Sequence, residues 1–284
     1  MEITKVGILG AGTMGAGIAQ VSAEASLSVV LVDIDAIAVS NAMKSITKAW
    51  QKAEEKGKID KATKEQRLDS VKYGTEMSDL ADCDVVIEAI IENINIKKKV
   101  FKQLDEICKR DAILSSNTSA LSITEIGTAT QRTDRVVGMH FFNPVTMMKL
   151  VEVIPGSDAT DAAVETIMGL CRKIGKEPVR AKEFPGFIVN RLLVPYLNEA
   201  AFAYQDGVAT VEEIDQAMKL GANMPIGPLA LCDMVGLDVL LSVCEYYWKE
   251  FGDSKYRPSL ALKQKVRAGH LGIKSGRGFY NYSK

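Results

Sequence analysis

The chain has 284 residues, 47% of them hydrophobic and 25% charged, with a formal net charge of −1. That size and balance suit one large or two ordinary globular domains and exclude both a disordered chain and a basic nucleic-acid binder. No apolar run approaches the roughly eighteen residues of a membrane span, and the N-terminus enters a strand-like run at once, so a signal peptide is not expected and a cytoplasmic location is. Cys83, Cys108, Cys171, Cys232 and Cys244 are odd in number and scattered, while the two histidines stand far apart. Reduced, packed thiols are therefore expected, and no metal site.

In chain order, Lys5–Leu9 is a short apolar run of the kind a fully buried parallel strand shows. It leads into Gly10-Ala11-Gly12-Thr13-Met14-Gly15, and residues 16–25 follow with Ile18, Val21 and Ala25 on one helical face. In this GxGxxG the first glycine permits a tight turn, the second lets backbone approach a pyrophosphate, and the third lets helix pack on strand. The motif alone is weak. The next strand, Ser28–Val32, strengthens it by ending in Asp33, where a carboxylate can bind both ribose hydroxyls and repel a 2′-phosphate. Strand, glycine turn, helix, strand and acid together predict a Rossmann unit that uses NAD.

Residues 36–70 form a helical insertion in which Lys44, Lys48, Lys52 and Lys56 recur every fourth position, a basic stripe along one face. Such a stripe is either a solvated surface or a seat for an anionic, phosphate-bearing substrate tail. Strand signals recur at 84–89, 112–116 and 135–139 with helical segments between, which predicts a doubly wound, mainly parallel sheet. Ligands of such sheets bind beyond the carboxyl ends of the strands. Asn117-Thr118-Ser119 and His140 both follow such ends.

His140 can accept and return a proton near neutrality, and Glu152, twelve positions on, is available to orient its ring. Read alone, a histidine between an apolar run and Phe141-Phe142 is equally a packed side chain. Phe184-Pro185-Gly186-Phe187 punctuates the chain, giving a Rossmann-type domain at 1–184 and a helical domain at 185–284. Segments 188–204, 211–220, 237–248 and 260–268 read as helices. Pro195 should kink or divide the first, and 272–280 reads as a glycine-rich loop. The fold class is thus an α/β Rossmann-type doubly wound sheet followed by an all-α domain. The first of these helices is apolar on most sides and must be buried, which in so small a domain predicts a homodimer formed through it.

Taken together, the glycine loop, Ser116-Asn117-Thr118-Ser119, His140-Phe141-Phe142-Asn143-Pro144, Lys149-Leu150-Val151-Glu152 and Pro185-Gly186-Phe187-Ile188-Val189-Asn190-Arg191 resemble the L-3-hydroxyacyl-CoA dehydrogenase family. The likeness runs from residue 5 to the C-terminus, including Leu220-Gly221-Ala222, Gly227-Pro228 and Gly278-Phe279-Tyr280, and is nearest the free-standing 3-hydroxybutyryl-CoA enzymes. The resemblance implies that His140 is the acid/base, Glu152 its partner, Ser119 the group binding the substrate C3 oxygen beside the nicotinamide, and Asn190 a positioning group. It places Gly10 to Gly15, Asp33, Glu92, Lys97, Ser119, Asn143 and Lys274 near NAD, and Lys52 and Lys56 near the phosphates of an acyl-CoA.

Each residue also has a plainer reading. Ser119 could cap the helix that starts near Ser122, Glu92 could occupy an exposed turn, and Asn190 could sit at the domain seam. The β-hydroxyacid dehydrogenases also join a Rossmann and a helical domain, but the motif around their catalytic lysine has no counterpart here. A non-catalytic NAD-binding protein would need the glycine loop and Asp33, but not His140, Glu152, Ser119 and Asn190 together. Acyl chain length is set by pocket walls such as Met147 and Met148, whose flexibility makes it unreadable from sequence.

Overall fold

A computed structural model describes residues 2–283, which separate into two compact units that divide between Phe187 and Ile188. In the first unit β1 (Lys5–Leu9), α1 (Thr13–Glu24), β2 (Ser28–Val32), α2 (Ala36–Glu55), α3 (Lys61–Asp69) and β3 (Val71–Gly74) form the first half. Next come β4 (Val85–Glu88), α4 (Ile94–Ile107), β5 (Ile113–Ser116), α5 (Ile123–Gly127), β6 (Val136–Phe141), β7 (Leu150–Pro155), α6 (Asp161–Lys173) and β8 (Glu177–Arg180).

The eight strands join in one sheet of order β3-β2-β1-β4-β5-β6-β7-β8. All neighbours are parallel except β6 and β7. Helices cover both faces, so β4, β5 and β6 are buried along their whole length, including the polar Glu88, Ser115, Ser116 and His140 towards their carboxyl ends. The lysine-rich insertion is α2 and α3. The edge strand β3 and the interior strand β7 are not signalled by periodicity: only Val71 of β3 is buried, and β7 runs antiparallel to β6.

The insertion is fastened by Trp50, buried to 1% exposure, whose indole N–H donates to Glu24 Oε1 at 2.8 Å. Truncating such a buried side chain to alanine costs about 3–5 kcal/mol. All five cysteines are buried and unpaired, and burial pushes the thiols of Cys83, Cys171 and Cys244 up to about 12.

The second unit contains α7 (Val189–Gln205), α8 (Val211–Gly221), α9 (Pro228–Val235), α10 (Leu237–Phe251) and α11 (Leu260–Arg267). Its core is built on Leu197, Leu229, Leu237, Tyr247 and Leu262. Pro195 does not divide α7, which runs through it as one helix. The ring removes a single ladder bond, while Val194, Leu197, Asn198 and Ala201 are buried around it and hold the helix together. Asn198 also donates to Arg257 O at 2.9 Å and accepts from Ser259 N at 3.0 Å, tying α7 to the start of α11.

The glycine-rich tail is ordered rather than loose. Asp233 accepts from Phe279 N at 2.8 Å, Tyr280 N at 2.9 Å and Tyr282 Oη at 3.1 Å. A Cβ on Gly278 would lie 1.9 Å from the Asp233 carboxylate, so this turn requires glycine. Among the described residues no helix is long and apolar enough to cross a membrane.

One carboxylate closes the amino end of the sheet. Asp84 accepts from Thr4 N (2.8 Å), Thr4 Oγ1 (3.0 Å), Lys5 N (2.9 Å) and Lys109 Nζ (2.5 Å). Burial pushes this carboxyl up, but the Lys109 ammonium and the Thr4 and Lys5 donors outweigh it and hold Asp84 at about 2. The folded-state value is depressed, so the stabilisation is present above the unfolded value near ~3.9 and is lost as pH falls through the folded one. Asp84→Asn should therefore lower the urea midpoint at neutral pH, and the gap from the parent should close as pH falls from about 4 towards about 2. A gap of equal size across that range would refute the role.

Candidate active site

β6 and β7 pair antiparallel with His140 directly opposite Glu152. Opposed residues present their side chains on the same face, which is why two positions twelve apart meet. His140 Nδ1 lies 2.7 Å from Glu152 Oε2, with His140 5% and Glu152 0% exposed. The His140 ring also packs against Phe142 and Phe187, at centroid distances of 4.5 and 5.6 Å. The packed-histidine reading thus describes the ring's surroundings, yet a ring placed only to fill space needs no fully buried carboxylate. With Nδ1 committed to Glu152, Nε2 is the nitrogen left to exchange a proton with a substrate.

The loop after β5 is bound into the same region side chain by side chain. Asn117 Oδ1 accepts from Phe141 N at 2.9 Å, tying the loop to β6 one residue past His140. Thr118 donates its hydroxyl to Glu92 Oε1 at 2.6 Å, and the same oxygen accepts from Ser119 N at 2.9 Å and from Ser119 Oγ at 3.3 Å. Ser119 does not cap α5. Ser122 does, accepting from Glu125 N at 2.9 Å.

Glu92 is 40% exposed at its side chain but is no idle turn residue, since its other oxygen lies 3.4 Å from Lys97 Nζ. Lys97 is itself buried to 1% exposure, its ammonium 2.6 Å from Glu88 Oε1. The structure therefore places Lys97 beneath the site surface, acting on it through two carboxylates.

Around the glycine loop each expected residue has its own constraint. Gly10 has φ +111°, and a Cβ on Gly15 would stand 1.7 Å from Gly10 O. Both glycines are demanded by the turn and by the close packing of α1 on β1. A Cβ on Gly12 would meet no protein atom within 4 Å, so the fold itself does not require glycine there. Gly12 is also the N-cap of α1 and supplies no side-chain acceptor, leaving the first-turn N–H groups for an anion. That combination fits the pyrophosphate of NAD.

Asp33 Oδ2 accepts from Ala11 N at 2.7 Å and Oδ1 from Asp35 N at 3.0 Å, so the acid is already oriented beside the loop. Carboxylate oxygens each have a second lone pair, which remains for ribose hydroxyls. Ala11, Gly12 and Thr13 share a 480 Å³ groove with Asn143, Pro144 and Thr146. The far end of that loop is held by Lys176, buried to 6% exposure, which donates to Val145 O and to Met148 O, the latter at 2.8 Å.

Lys176 and Glu88 hold the loops around His140 and Ser119 and were not singled out by sequence reasoning. Only Glu88 carried a local signal, as an acid closing an otherwise apolar strand.

The basic stripe divides along α2. Lys44 and Lys48 line a 690 Å³ groove with Met43, Gln51 and Tyr73, whereas Lys52 lies in the last turn and Lys56 at the C-cap. Lys52 and Lys56 are exposed and make no ion pair among the described residues. In the second unit, Asn190 is half-buried in the first turn of α7, and Lys274 Nζ lies 2.7 Å from Asp238 Oδ2.

Residues 5–184 match the family model described as 3-hydroxyacyl-CoA dehydrogenase, NAD binding domain, and residues 186–282 match that of its C-terminal domain. The chain belongs to the 3-hydroxyacyl-CoA dehydrogenase family. Among relatives, a 3-hydroxybutyryl-CoA dehydrogenase of Clostridioides difficile is 51% identical over 280 residues, covering 99% of this chain and 100% of the relative. The mitochondrial hydroxyacyl-coenzyme A dehydrogenase of Sus scrofa is 41% identical over 99% of this chain and 91% of its own. The crystal structure of the (S)-3-hydroxybutyryl-CoA dehydrogenase PaaH1 from Ralstonia eutropha superposes with a TM-score of 0.97 at 47% identity, covering 100% of both chains.

Family membership makes the first unit an NAD-binding domain, consistent with Asp33 and the uncapped start of α1. Asp33→Ser should lower the preference for NAD over NADP, measured as the ratio of kcat/KM values, by at least about tenfold, because the repulsion of a 2′-phosphate is gone. An unchanged ratio would remove Asp33 from the ribose site.

Proposed function

We propose that the protein interconverts (S)-3-hydroxyacyl-CoA and 3-oxoacyl-CoA with NAD(H), acting on short chains such as 3-hydroxybutyryl-CoA and acetoacetyl-CoA in butanoate and fatty-acid metabolism. The observation that carries this reading is the buried His140–Glu152 pair at 2.7 Å, held beside the Ser119 loop at the carboxyl end of the sheet. The names of the relatives support the substrate class, and the short chain follows those named for 3-hydroxybutyryl-CoA.

When bound, the cofactor accepts the hydride that leaves C3 and supplies it in the reverse direction. In oxidation, His140 Nε2 takes the proton of the C3 hydroxyl, and Glu152 stabilises the imidazolium that forms. In reduction, that imidazolium returns the proton to the C3 oxygen as negative charge grows there. The Ser119 hydroxyl donates to the same oxygen, and Asn190 is assigned a positioning role on the strength of the family motif that contains it. A donor aimed at developing charge acts mainly in the transition state. Oxidation uses neutral imidazole and reduction the protonated ring, so the two directions should show different pH optima, oxidation at the higher pH.

Gly10 to Gly15, Asp33, Glu92, Lys97, Asn143 and Lys274 serve the NAD side, and Lys52 and Lys56 the CoA phosphates. Five buried, unpaired cysteines suit a reducing compartment and thus a cytoplasmic enzyme. We assign a homodimer to the helical unit, which exposes Leu192 (69%), Leu220 (77%) and Val208 (73%). Sedimentation at micromolar concentration should give twice the chain mass, and a monomer would refute the dimer.

His140→Gln should leave NADH binding near the parental level while lowering turnover of acetoacetyl-CoA by about two to four orders of magnitude, and Glu152→Gln should also impair it. Near-normal turnover in a folded His140→Gln variant would overturn the mechanism. NADH oxidation with a free oxo-acid but not with acetoacetyl-CoA would overturn the substrate class.

A further inference from the structure

Glu88 is the last residue of β4, a strand otherwise composed of valine and isoleucine, and it is 0% exposed. Every partner of its carboxylate leads toward the Ser119 loop. Oε2 accepts from Ser116 Oγ at 2.6 Å, and Oε1 accepts from Ile90 N at 2.7 Å and from Lys97 Nζ at 2.6 Å. Ser116 Oγ in turn accepts from Thr118 N at 3.2 Å. Lys97 spans to Glu92 Oε2 at 3.4 Å, and Glu92 Oε1 holds Thr118 and Ser119. The result is a closed ring that runs from Glu88 through Lys97, Glu92, Thr118 and Ser116 back to Glu88.

A buried ion pair is a poor way to stabilise a fold, since apolar side chains of similar volume often do as well or better. Its distinctive property is geometric. Lys97 sits between two carboxylates, closer to Glu88 at 2.6 Å than to Glu92 at 3.4 Å. Glu88 thereby takes up most of the ammonium's attraction, so that Glu92 Oε1 stays with Thr118 and with the Ser119 backbone. Remove the Glu88 charge and Glu92 becomes the only anion left within ion-pair distance of Lys97 among the described residues. The carboxylate is then drawn toward the ammonium and away from the loop.

The ring is also graded at its working end. Ser119 N is held at 2.9 Å, whereas its hydroxyl reaches Glu92 at only 3.3 Å, a long contact for an O–H donor. The backbone is thus located while the hydroxyl remains able to turn to another oxygen.

We propose that Glu88 is a positioning residue for the dehydrogenase reaction, fixing the place of Ser119 through Lys97 and Glu92. The inference rests on the role assigned above to Ser119 and adds to it the buried charge that sets its geometry. Glu88 touches neither substrate nor cofactor. Its effect on catalysis must therefore disappear once Ser119 has lost its hydroxyl.

The test is a double-mutant cycle between Glu88→Gln and Ser119→Ala, read by kcat, KM for acetoacetyl-CoA, NADH binding by fluorescence, and thermal unfolding. Glutamine keeps one acceptor oxygen for Ile90 N and offers an amide N–H that Ser116 Oγ can accept, but it carries no charge for Lys97. The Glu88→Gln variant should unfold cooperatively and bind NADH within about threefold of the parent, while kcat falls about ten- to a hundredfold, the loss typical of a misplaced catalytic contact. Ser119→Ala should fall comparably, and the double variant should lie within about threefold of the worse single one, because both act through one contact. Losses that multiply, or a folded Glu88→Gln enzyme within about twofold of parental kcat, would overturn the proposal.

Should Glu88→Gln fail to fold, Glu88→Asp, which keeps the charge but withdraws it from Lys97 by one methylene, takes its place in the cycle with the same expected outcomes. Failure of that variant to fold as well would assign the pair to folding and overturn the positioning role. Parental kcat in Ser119→Ala would sink the Ser119 reading itself. Loss in Ser119→Ala without loss in Glu88→Gln would sink only this inference.

Discussion

The antiparallel pairing of β6 with β7 is the constraint on which the site depends. A one-residue slip between these strands would turn Glu152 to the opposite face from His140, since side chains alternate along a strand. Both flanks of the register are therefore held. On one side, a Cβ on Gly138 would stand 2.8 Å from Ile123 Cδ1, so the missing side chain is what lets α5 lie against β6. On the other, Lys176 pins the carbonyls of Val145 and Met148 in the loop that joins the two strands. Asn117 adds the lateral tie from β5 to Phe141.

Electrostatics in the first unit follow the direction of the sheet. Parallel strands end on one side, and three of them end there with acids or their donors: Asp33 after β2, Glu88 at the end of β4, Ser116 at the end of β5. Asp33 accepts from backbone N–H groups, and Glu88 from a backbone N–H, the Ser116 hydroxyl and a buried cation. Asp33 orients the glycine loop through Ala11, and Glu88 orients the Ser119 loop through Lys97 and Glu92. The same device, a fixed carboxylate aiming a neighbouring donor, recurs at Glu152 with His140. At the opposite end of the sheet Asp84 has a purely structural task, joining the starts of β1 and β4 to Lys109.

Much of the architecture was legible because period and punctuation are local properties. The strands Lys5–Leu9 and Ser28–Val32 stand where their apolar runs place them, and Asp33 closes β2 as the Rossmann pattern requires. Illegible were β3, with one buried residue, and β7, whose antiparallel sense is a property of its neighbour and not of its own composition. Of the two outcomes expected at Pro195, a kink or a division, the helix is not divided, since a lost ladder bond is a local cost and the packing that offsets it comes from elsewhere in the helical unit.

The sequence by itself determined the identity of the chemistry-bearing groups, the glycine turn, the acid at the end of β2, and the family pattern that joins His140 to Glu152. Those are matters of residue type and order, which a chain carries whether folded or not. Only the tertiary structure decided that Ser119 is held by Glu92 rather than capping α5, that Lys97 lies buried between two carboxylates, and that Glu88 and Lys176 belong to the site's support. Such partnerships join residues from different strands and loops. They exist only once burial has removed water as the competing partner, and no spacing along the chain encodes them.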